Sequence, residues 1–257
     1  MREICLPEMA LQNANQLGES VRAAIRVWGD YSTLVIVFCT VFSLFIIIVV
    51  LSGRILRRRE RERRRKLKAF ADKLGLEFSL KDPLSMLVRY KDVDSLRIRG
   101  NHKLFNVIRG SFKGLDVALF DHKCEMYGYG GVGAIWNYTR CAIFAGMKLP
   151  RLNLRSQGIM DKIGDIGESK DVDVELGDWD FDGKYYVRSD DEAFAREVLG
   201  EVMRDYLLGV FPIQVETGGD MLLVSSEKRL RPEEMEDLLE TALGVFERMP
   251  KKAAGEP

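Results

Sequence analysis

Histidine is scarce in this chain, with only His102 and His122 among 257 residues. A zinc site takes four ligands in closely spaced pairs such as Cys-x2-Cys. His122 and Cys124 form one pair, separated by a single residue. Alternation along a strand would place both side chains on one face of a sheet for packing alone. A serine hydrolase of the common type needs a Gly-x-Ser-x-Gly turn, and Ser111 lacks it. We therefore predict no metal, no cofactor and no catalytic residue.

Cysteine is also sparse, and its placement predicts no disulfide framework. One cysteine lies within a long apolar run, one precedes that run and two follow it. The orientation inferred below places the last two in a reducing compartment, where thiols stay free. Free thiols are expected at Cys5, Cys39, Cys124 and Cys141.

The chain lacks a complete nucleotide or calcium motif. A glycine-rich stretch containing Tyr127 and Tyr129 precedes a strand pattern, whereas a phosphate loop opens a helix. We expect a hairpin tip there, and with Trp136 it is a possible partner loop. Residues 178–183 begin like a calcium loop, but Ser189 stands where the motif needs a bidentate Glu, so ordinary loop acidity explains these carboxylates.

The chain has instead one long run without charge. Residues 34–51 contain no charged side chain, and as a helix the segment 33–53 would be about 31 Å long, close to the ~30 Å hydrocarbon core of a bilayer. A cleaved signal would have a shorter apolar core and a small-residue cleavage site. We predict an uncleaved transmembrane helix at 33–53, and the small residues Cys39 and Ser43 permit a homo-dimer through close helix packing.

A basic cluster follows the apolar run, with nine Arg or Lys against two Glu in residues 52–66. Because Lys and Arg beside a span remain in the cytoplasm, the N-terminus is expected outside and the larger C-terminal part inside the cell. Anionic lipid headgroups attract such residues by ~1 kcal/mol each, so the lipid bilayer is an expected partner. The cluster consists of Arg54, Arg57, Arg58, Arg59, Arg61, Arg63, Arg64, Arg65 and Lys66.

Nucleic acid is not an expected partner. Residues 67–257 contain 27 Lys and Arg against 33 Asp and Glu. Nucleic-acid binding needs a basic face on the folded domain, so the acidic balance argues against it.

The segments flanking the span both have helical patterns. In 1–32, Leu17, Val21 and Ile25 are spaced along one helix face, which predicts a short extracytoplasmic amphipathic segment ending at Gly29 and Asp30; it could lie on the membrane or bind a partner. After the span, 54–75 has no Pro or Gly before its last residue. A basic helical stalk is therefore expected. The stripe that would dock this stalk on the domain is Leu67, Phe70, Ala71 and Leu74.

The remaining chain is predicted as a cytoplasmic α+β domain, 76–249, with a disordered tail, 250–257. Strands come first and helices later, which favours an antiparallel sheet over alternating βαβ units. We expect a β-meander, then two C-terminal helices with a hairpin between them that turns at Gly218 and Gly219. The predicted strands are 76–80, 105–109, 115–120, 134–144 and 151–154, the hairpin is 213–225, and the helices are 190–208 and the segment from Pro232 to Phe246.

A layout of spaced apolar and turn residues covers 100–208. It consists of Gly110-x3-Gly114-x2-Val117-x-Leu119-Phe120-Asp121, Trp136-x2-Thr139, Leu149-Pro150-x3-Leu154, Asp171-Val172-Asp173 and Tyr185-Tyr186-Val187-x-Ser189-x-Asp191. In this layout the chain resembles a poorly characterised family of bacterial single-pass membrane proteins of unknown function. The resemblance implies a bacterial inner (plasma) membrane and carries over no catalytic residue.

These features predict a membrane-anchored cytoplasmic interaction domain, an adaptor or scaffold without catalytic activity that binds another protein. The alternative is a small-molecule or lipid-binding module at the membrane surface, which a deep apolar cavity between sheet and helices would favour. A hydrolase-type enzyme is the third choice, because no nucleophile or metal spacing is complete.

Overall fold

One very long helix opens the fold. The structure, a computed structural model, describes residues 6–90, 93–97, 100–125, 133, 135–157 and 172–250. Helix α1 runs over Leu6–Leu74 without interruption, so the helix end expected at Gly29 and Asp30 is not observed. The chain divides into two compact units, Met1–Arg61 and Glu62–Pro257.

In the first unit, the apolar side chains of the long run from Val35 onward are exposed. Phe38 is 70% exposed, and the other large apolar residues from Val35 to Leu56 are at least 46% exposed. The most apolar window has a mean hydropathy of 3.1 and none of it is buried, whereas the core helix of a soluble protein would be buried. Within the described part of the chain, α1 thus contains one candidate membrane-spanning segment, as predicted.

Two hydroxyl groups in the apolar run are satisfied inside the helix. Thr40 Oγ1 donates to the Val37 carbonyl at 2.8 Å, and Ser43 Oγ donates to the Cys39 carbonyl at 2.7 Å. Such bonds remove the cost of placing a hydroxyl group in hydrocarbon.

The second unit contains one antiparallel sheet of seven strands. The strands are β1 Glu77–Lys81, β2 Asn101–Phe112, β3 Leu115–Glu125, β4 Ile135–Ser156, β5 Val172–Asp173, β6 Tyr185–Ser189 and β7 Ile213–Ser226. Their order is β1-β2-β3-β4-β6-β5, and β7 pairs with β4. With the later helices, this confirms the predicted α+β class and the antiparallel sheet.

Strands β4 and β7 differ from the prediction in their continuity. The expected strands 134–144 and 151–154 are one strand, β4, and the expected hairpin 213–225 is one strand, β7. The two strands pair with each other from Arg140↔Ser225 to Leu154↔Val215, with register shifts around Leu149. Because β4 also pairs with β3 along its first half and with β6 along its second, strand pairing on both sides outweighs the local turn preference of its glycine and proline.

The helices of the second unit are short except for the last. They are α2 Met86–Arg89, α3 Asp94–Arg97, α4 Trp179–Asp182, α5 Glu192–Val198, α6 Glu201–Gly209 and α7 Met235–Glu247. The helix expected over 190–208 is thus divided into α5 and α6, and Gly200 is the N-cap of α6. The N-cap of α5 is Asp191, whose side chain accepts a hydrogen bond from Phe194 N. A 3-10 turn at Pro232–Glu234 precedes α7.

Both faces of the sheet are covered. On one face, Leu67 and Ala71 of α1, fully buried, pack with α5, α6 and α7 against side chains such as Leu119. On the other face, Met86 and Leu96 from the segment containing α2 and α3 pack against side chains such as Phe120. Two residues of the predicted docking stripe therefore lie in the core.

Candidate functional site

A buried carboxylate, Asp121 of β3, binds two arginines. Its side chain is 0% exposed. Arg63 Nη2 donates to Oδ1 at 2.7 Å and Arg63 Nε donates to Oδ2 at 3.1 Å, while Arg229 donates to Oδ2 from Nη2 at 2.8 Å and from Nε at 3.0 Å. Paired, charge-assisted bonds of this kind fix geometry as well as contributing energy.

Neutral groups complete the surroundings of Asp121. Asn106 Nδ2 donates to Oδ2 at 2.9 Å and Thr139 Oγ1 donates to Oδ1 at 3.1 Å, while Thr139 Oγ1 accepts from Leu230 N at 2.9 Å. Burial alone would raise the pKa of Asp121, but hydrogen bonds and charge from Arg63 and Arg229 outweigh it and lower that pKa. Asp121 is therefore ionised at neutral pH and is held by groups from α1, β2, β4 and the loop after β7.

Arg63 is bound to the domain in this arrangement, whereas most other members of the predicted basic cluster are exposed. Arg63 also donates from Nη1 to the Leu230 carbonyl, and Lys66 binds Glu233 at the surface. Arg64 is half-buried. The exposed members are Arg54, Arg57, Arg58, Arg59, Arg61, Arg65 and Lys66.

The opposite face of β3 holds a small polar cavity. Strand alternation places His122 and Cys124 there, away from Asp121. The cavity measures about 10 Å³, close to the least volume that holds one water. It is lined by Ser95, His122, Cys124, Trp136, Tyr138, Arg140, Arg155 and Gln214.

Glu216 of β7 organises one side of this cavity. Its carboxylate accepts hydrogen bonds from Ser95 N at 3.2 Å, Ser95 Oγ at 2.6 Å and Gln214 Nε2 at 2.5 Å, and Arg155 Nη2 lies 3.9 Å from it. Arg140 Nη1 donates to Ser95 Oγ. Ser95 thus connects the buried Glu216 to the buried Arg140.

Two histidines adjoin the cavity in stacked rings. His102 Nδ1 and His122 Nε2 are 2.9 Å apart, and His102 Nε2 is 3.8 Å from Cys124 Sγ. Burial, then the charge of Arg140, then His102 hold the pKa of His122 well below 6.5. Burial raises the pKa of the Cys124 thiol. The raised pKa keeps the Cys124 thiol protonated, whereas a reactive cysteine needs a lowered pKa.

Among the residues that the structure describes, no group of three or more His, Cys, Asp or Glu side chains is placed to hold a metal ion. His122 and Cys124 share a strand face, as expected.

The acidic segment 178–183 has structural roles. Asp178 accepts a hydrogen bond from Phe181 N at the start of α4 and binds Arg204 Nε at 2.8 Å. Asp182 accepts from the backbone N–H groups of Gly177 at 2.9 Å and Asp178 at 3.1 Å. Asp178 and Asp182 thus stabilise the turn that contains α4.

An open groove of about 430 Å³ lies beside α4 and the edge of the sheet. Its lining includes Trp179, Tyr186, Asp173 and Glu175, and Trp179 is 90% exposed. Sequence reasoning missed this groove, since β6 was not predicted and α4 was read as a loop.

Of the predicted partner loop, the structure describes Trp136. Trp136 is half-buried at the cavity. Tyr127 and Tyr129 lie outside the described residues, as does the predicted tail from 251 onward.

Comparison with known proteins gives one structural likeness. No protein-family profile matches the chain, and no curated protein matches it. The crystal structure of the mycobacterial trehalose monomycolate transport factor A, TtfA, is similar with a TM-score of 0.56 and 18% sequence identity. The similarity covers 74% of this chain and 97% of that chain. At this identity it shows a shared fold.

Proposed function

We propose that the protein is a non-catalytic accessory subunit of the bacterial inner membrane, anchored by α1, whose cytoplasmic domain binds a second membrane protein. The N-terminus lies outside the cell and the acidic α+β domain inside it. The exposed arginines of the basic cluster contact anionic lipid headgroups. The apolar run, the basic residues that follow it and the sheet domain support this arrangement.

The contact between Arg63 and Asp121 carries the proposal. Helix α1 contains both the apolar run and Arg63, and Arg63 reaches a fully buried carboxylate with a bidentate geometry. A flexible tether would need no such contact. The second unit therefore includes the C-terminal end of α1, from Glu62 to Leu74, as part of its own structure.

The groove at α4 is the surface that we assign to the protein partner. Trp179 is almost fully exposed, with the half-buried Tyr186 on the same groove. Aromatic side chains are enriched at protein interfaces and supply a large apolar contact area. Asp173 and Asp182 are already bound to Arg188 and to backbone N–H groups, so the aromatic rings, rather than the acidic charge, are the main recognition feature.

The solved neighbour supports an accessory role at a membrane. TtfA is described as a transport factor for trehalose monomycolate, and we extend to this chain only an accessory role at a membrane. The alternative, a lipid-binding module, has less support, because the described side chains between sheet and helices, such as Leu67, Phe181 and Met203, form a buried core.

Photo-crosslinking from the groove tests the proposal. A photoreactive phenylalanine analogue at Trp179 in the full chain, expressed in cells, is expected to form an adduct with one integral membrane protein. The matched control places the analogue at Val202 on α6, which is 71% exposed, and is expected to give no such adduct. Equal adducts from both positions, or none from Trp179, would refute the assignment of the groove.

A further inference from the structure

The groove at α4 combines aromatic rings with carboxylates. Its lining includes Asp173, Glu175 and Asp182, and the described lining contains no Lys, Arg or His. Its volume of about 430 Å³ lies within the range of about 300 to 1,000 Å³ that is usual for a ligand-binding cleft. Because complementary charge selects between binding partners, the groove favours an occupant that brings positive charge.

One aromatic ring of this groove is already paired with an arginine of the same chain. The Cζ atom of Arg188 lies 5.2 Å from the centroid of the Tyr186 ring, and Arg188 Nε donates to Asp173 Oδ1 at 2.8 Å. A guanidinium placed in this way contacts the face of an aromatic ring and binds a carboxylate at the same time. Ring, carboxylate and arginine are therefore all present at Tyr186.

The second aromatic ring of the groove lacks such an arginine. Trp179 is 90% exposed, and its ring makes no ring contact or cation–π contact with a described residue. Glu175 is also exposed, and its carboxylate forms no hydrogen bond or ion pair within the described part of the chain. Trp179 and Glu175 thus provide the same two kinds of group that bind Arg188, without a cation between them.

We propose, on the basis of the function proposed above, that the groove at α4 binds an arginine-containing cytoplasmic segment of the partner membrane protein. One guanidinium of that segment stacks on the Trp179 ring, and Glu175 supplies its counter-charge. Membrane proteins carry an excess of Lys and Arg in the short cytoplasmic loops beside their spans, so a partner in the same membrane offers such segments. Arginine fits better than lysine because its planar guanidinium stacks on aromatic rings and binds a carboxylate through two N–H groups. The acidic lining disfavours anionic lipid headgroups as the occupant.

Photo-crosslinking from Gln157 tests this assignment while Trp179 and Glu175 stay in place. Gln157 is exposed and lines the groove, so a photoreactive phenylalanine analogue at this position in the full chain, expressed in cells, reacts with the occupant. The adduct is digested with a protease that does not cleave at arginine, and the attached peptide is sequenced by mass spectrometry. We expect a peptide from a cytoplasmic loop of one integral membrane protein, with an arginine close to the attachment point.

Two variants of the groove measure what the ring and the charge contribute. Trp179→Leu removes the ring and Glu175→Gln removes the charge. Each is expected to lower the adduct yield by about two- to fivefold, because an exposed cation–π contact or ion pair changes a binding constant by about this factor. Glu197→Gln is the matched control, since Glu197 is an exposed glutamate of α5 outside the groove lining, and it should keep the full yield. All three side chains are exposed, so none of these changes should unfold the domain.

A charge exchange distinguishes direct recognition from an indirect effect on the groove. Replacing the identified arginine of the partner by glutamate is expected to lower the adduct yield, and Glu175→Arg in this chain is expected to restore it. An adduct with the same membrane protein whose yield is unchanged in Trp179→Leu and Glu175→Gln would overturn the arginine assignment and leave the proposed function intact. An adduct with phospholipid alone would show that the groove faces the bilayer and would also overturn it. The absence of any adduct with a membrane protein would overturn both the arginine assignment and the assignment of the groove to a protein partner.

Discussion

Arg63 and Asp121 are 58 positions apart in the sequence, yet they meet through two hydrogen bonds of 2.7 and 3.1 Å at the junction of α1 with the sheet. Arg229 approaches the same carboxylate from the loop after β7. One buried negative charge thus holds two positive ones from distant parts of the chain. Removing it should cost more than removing either arginine.

The first prediction concerns this carboxylate. Asp121→Asn keeps the side-chain shape but leaves Arg63 and Arg229 without their counter-charge. Breaking a buried pair by removing one partner typically lowers the free energy of unfolding by about 3 to 5 kcal/mol, and we expect a loss in that range. Urea unfolding of the full chain in detergent measures it.

Arg63→Gln and Arg61→Gln complete the comparison. Arg63→Gln leaves Asp121 with Arg229, so a smaller loss than for Asp121→Asn is expected. Arg61 is exposed, and its replacement should change stability by no more than about 0.5 kcal/mol. If Asp121→Asn were no more destabilising than Arg61→Gln, the ionic contact would not stabilise the domain.

The second prediction is a pH dependence caused by His122. Its pKa is well below 6.5 in the folded protein, so below pH 6.5 the unfolded chain takes up a proton that the folded chain does not. Stability from this group is therefore present above pH 6.5 and decreases as the pH falls toward the folded pKa, by about 1.4 kcal/mol per pH unit. Denaturant unfolding between pH 7 and pH 5 measures the slope.

His122→Gln serves as the control for that slope. It removes the titrating group while retaining a polar side chain, so the stability loss between pH 6.5 and pH 5 should shrink by the amount assigned to His122. Asp121 affects stability in a separate, more acidic pH range, because its pKa is lowered in the folded state. Its contribution to stability is present above its unfolded pKa of ~3.9 and is lost as the pH falls further. An unchanged slope in His122→Gln would contradict the prediction.

The third prediction concerns the packing of α6 against α7. A Cβ added at Gly244 would clash with the Tyr206 hydroxyl oxygen, and that hydroxyl donates to the Thr241 carbonyl at 3.2 Å. Gly244→Ala must displace the Tyr206 ring, so we expect a loss of about 1 to 3 kcal/mol. Gly209→Ala, where an added Cβ meets nothing within 4 Å, is the matched control and should be nearly neutral in the same unfolding assay.

The parts of the fold that sequence predicted are those set by local pattern. The apolar run, the docking residues Leu67 and Ala71, and helix α7 each follow from the spacing of apolar residues along one segment. Strands β4 and β7 were predicted as shorter pieces because glycine and proline favour turns locally. Strand β4 is continuous because it pairs with β3, β6 and β7, and β7 is continuous because it pairs with β4. These pairings join residues far apart in sequence, so a local sequence pattern does not predict them.

The candidate sites were harder to predict for a related reason. Local pattern does not pair Asp121 with Arg63 and Arg229, because these partners come from segments far apart in sequence. The small polar cavity combines residues of α3, β3, β4 and β7 in the same way. One local signal was present: Arg140 interrupts an apolar strand, and a charged residue at such a position calls for a buried partner.

The last prediction tests the orientation in the membrane with the chain's own cysteines. Cys124 and Cys141 are buried in the domain, and burial raises the pKa of each thiol, so neither reacts readily with a maleimide. Cys39 lies in the apolar run. With the N-terminus outside, a membrane-impermeant maleimide added to intact spheroplasts should therefore label Cys5, and Cys5→Ser should remove the labelling. Labelling of Cys5 only after lysis would reverse the proposed topology, because the reagent would then reach the N-terminus from the cytoplasm.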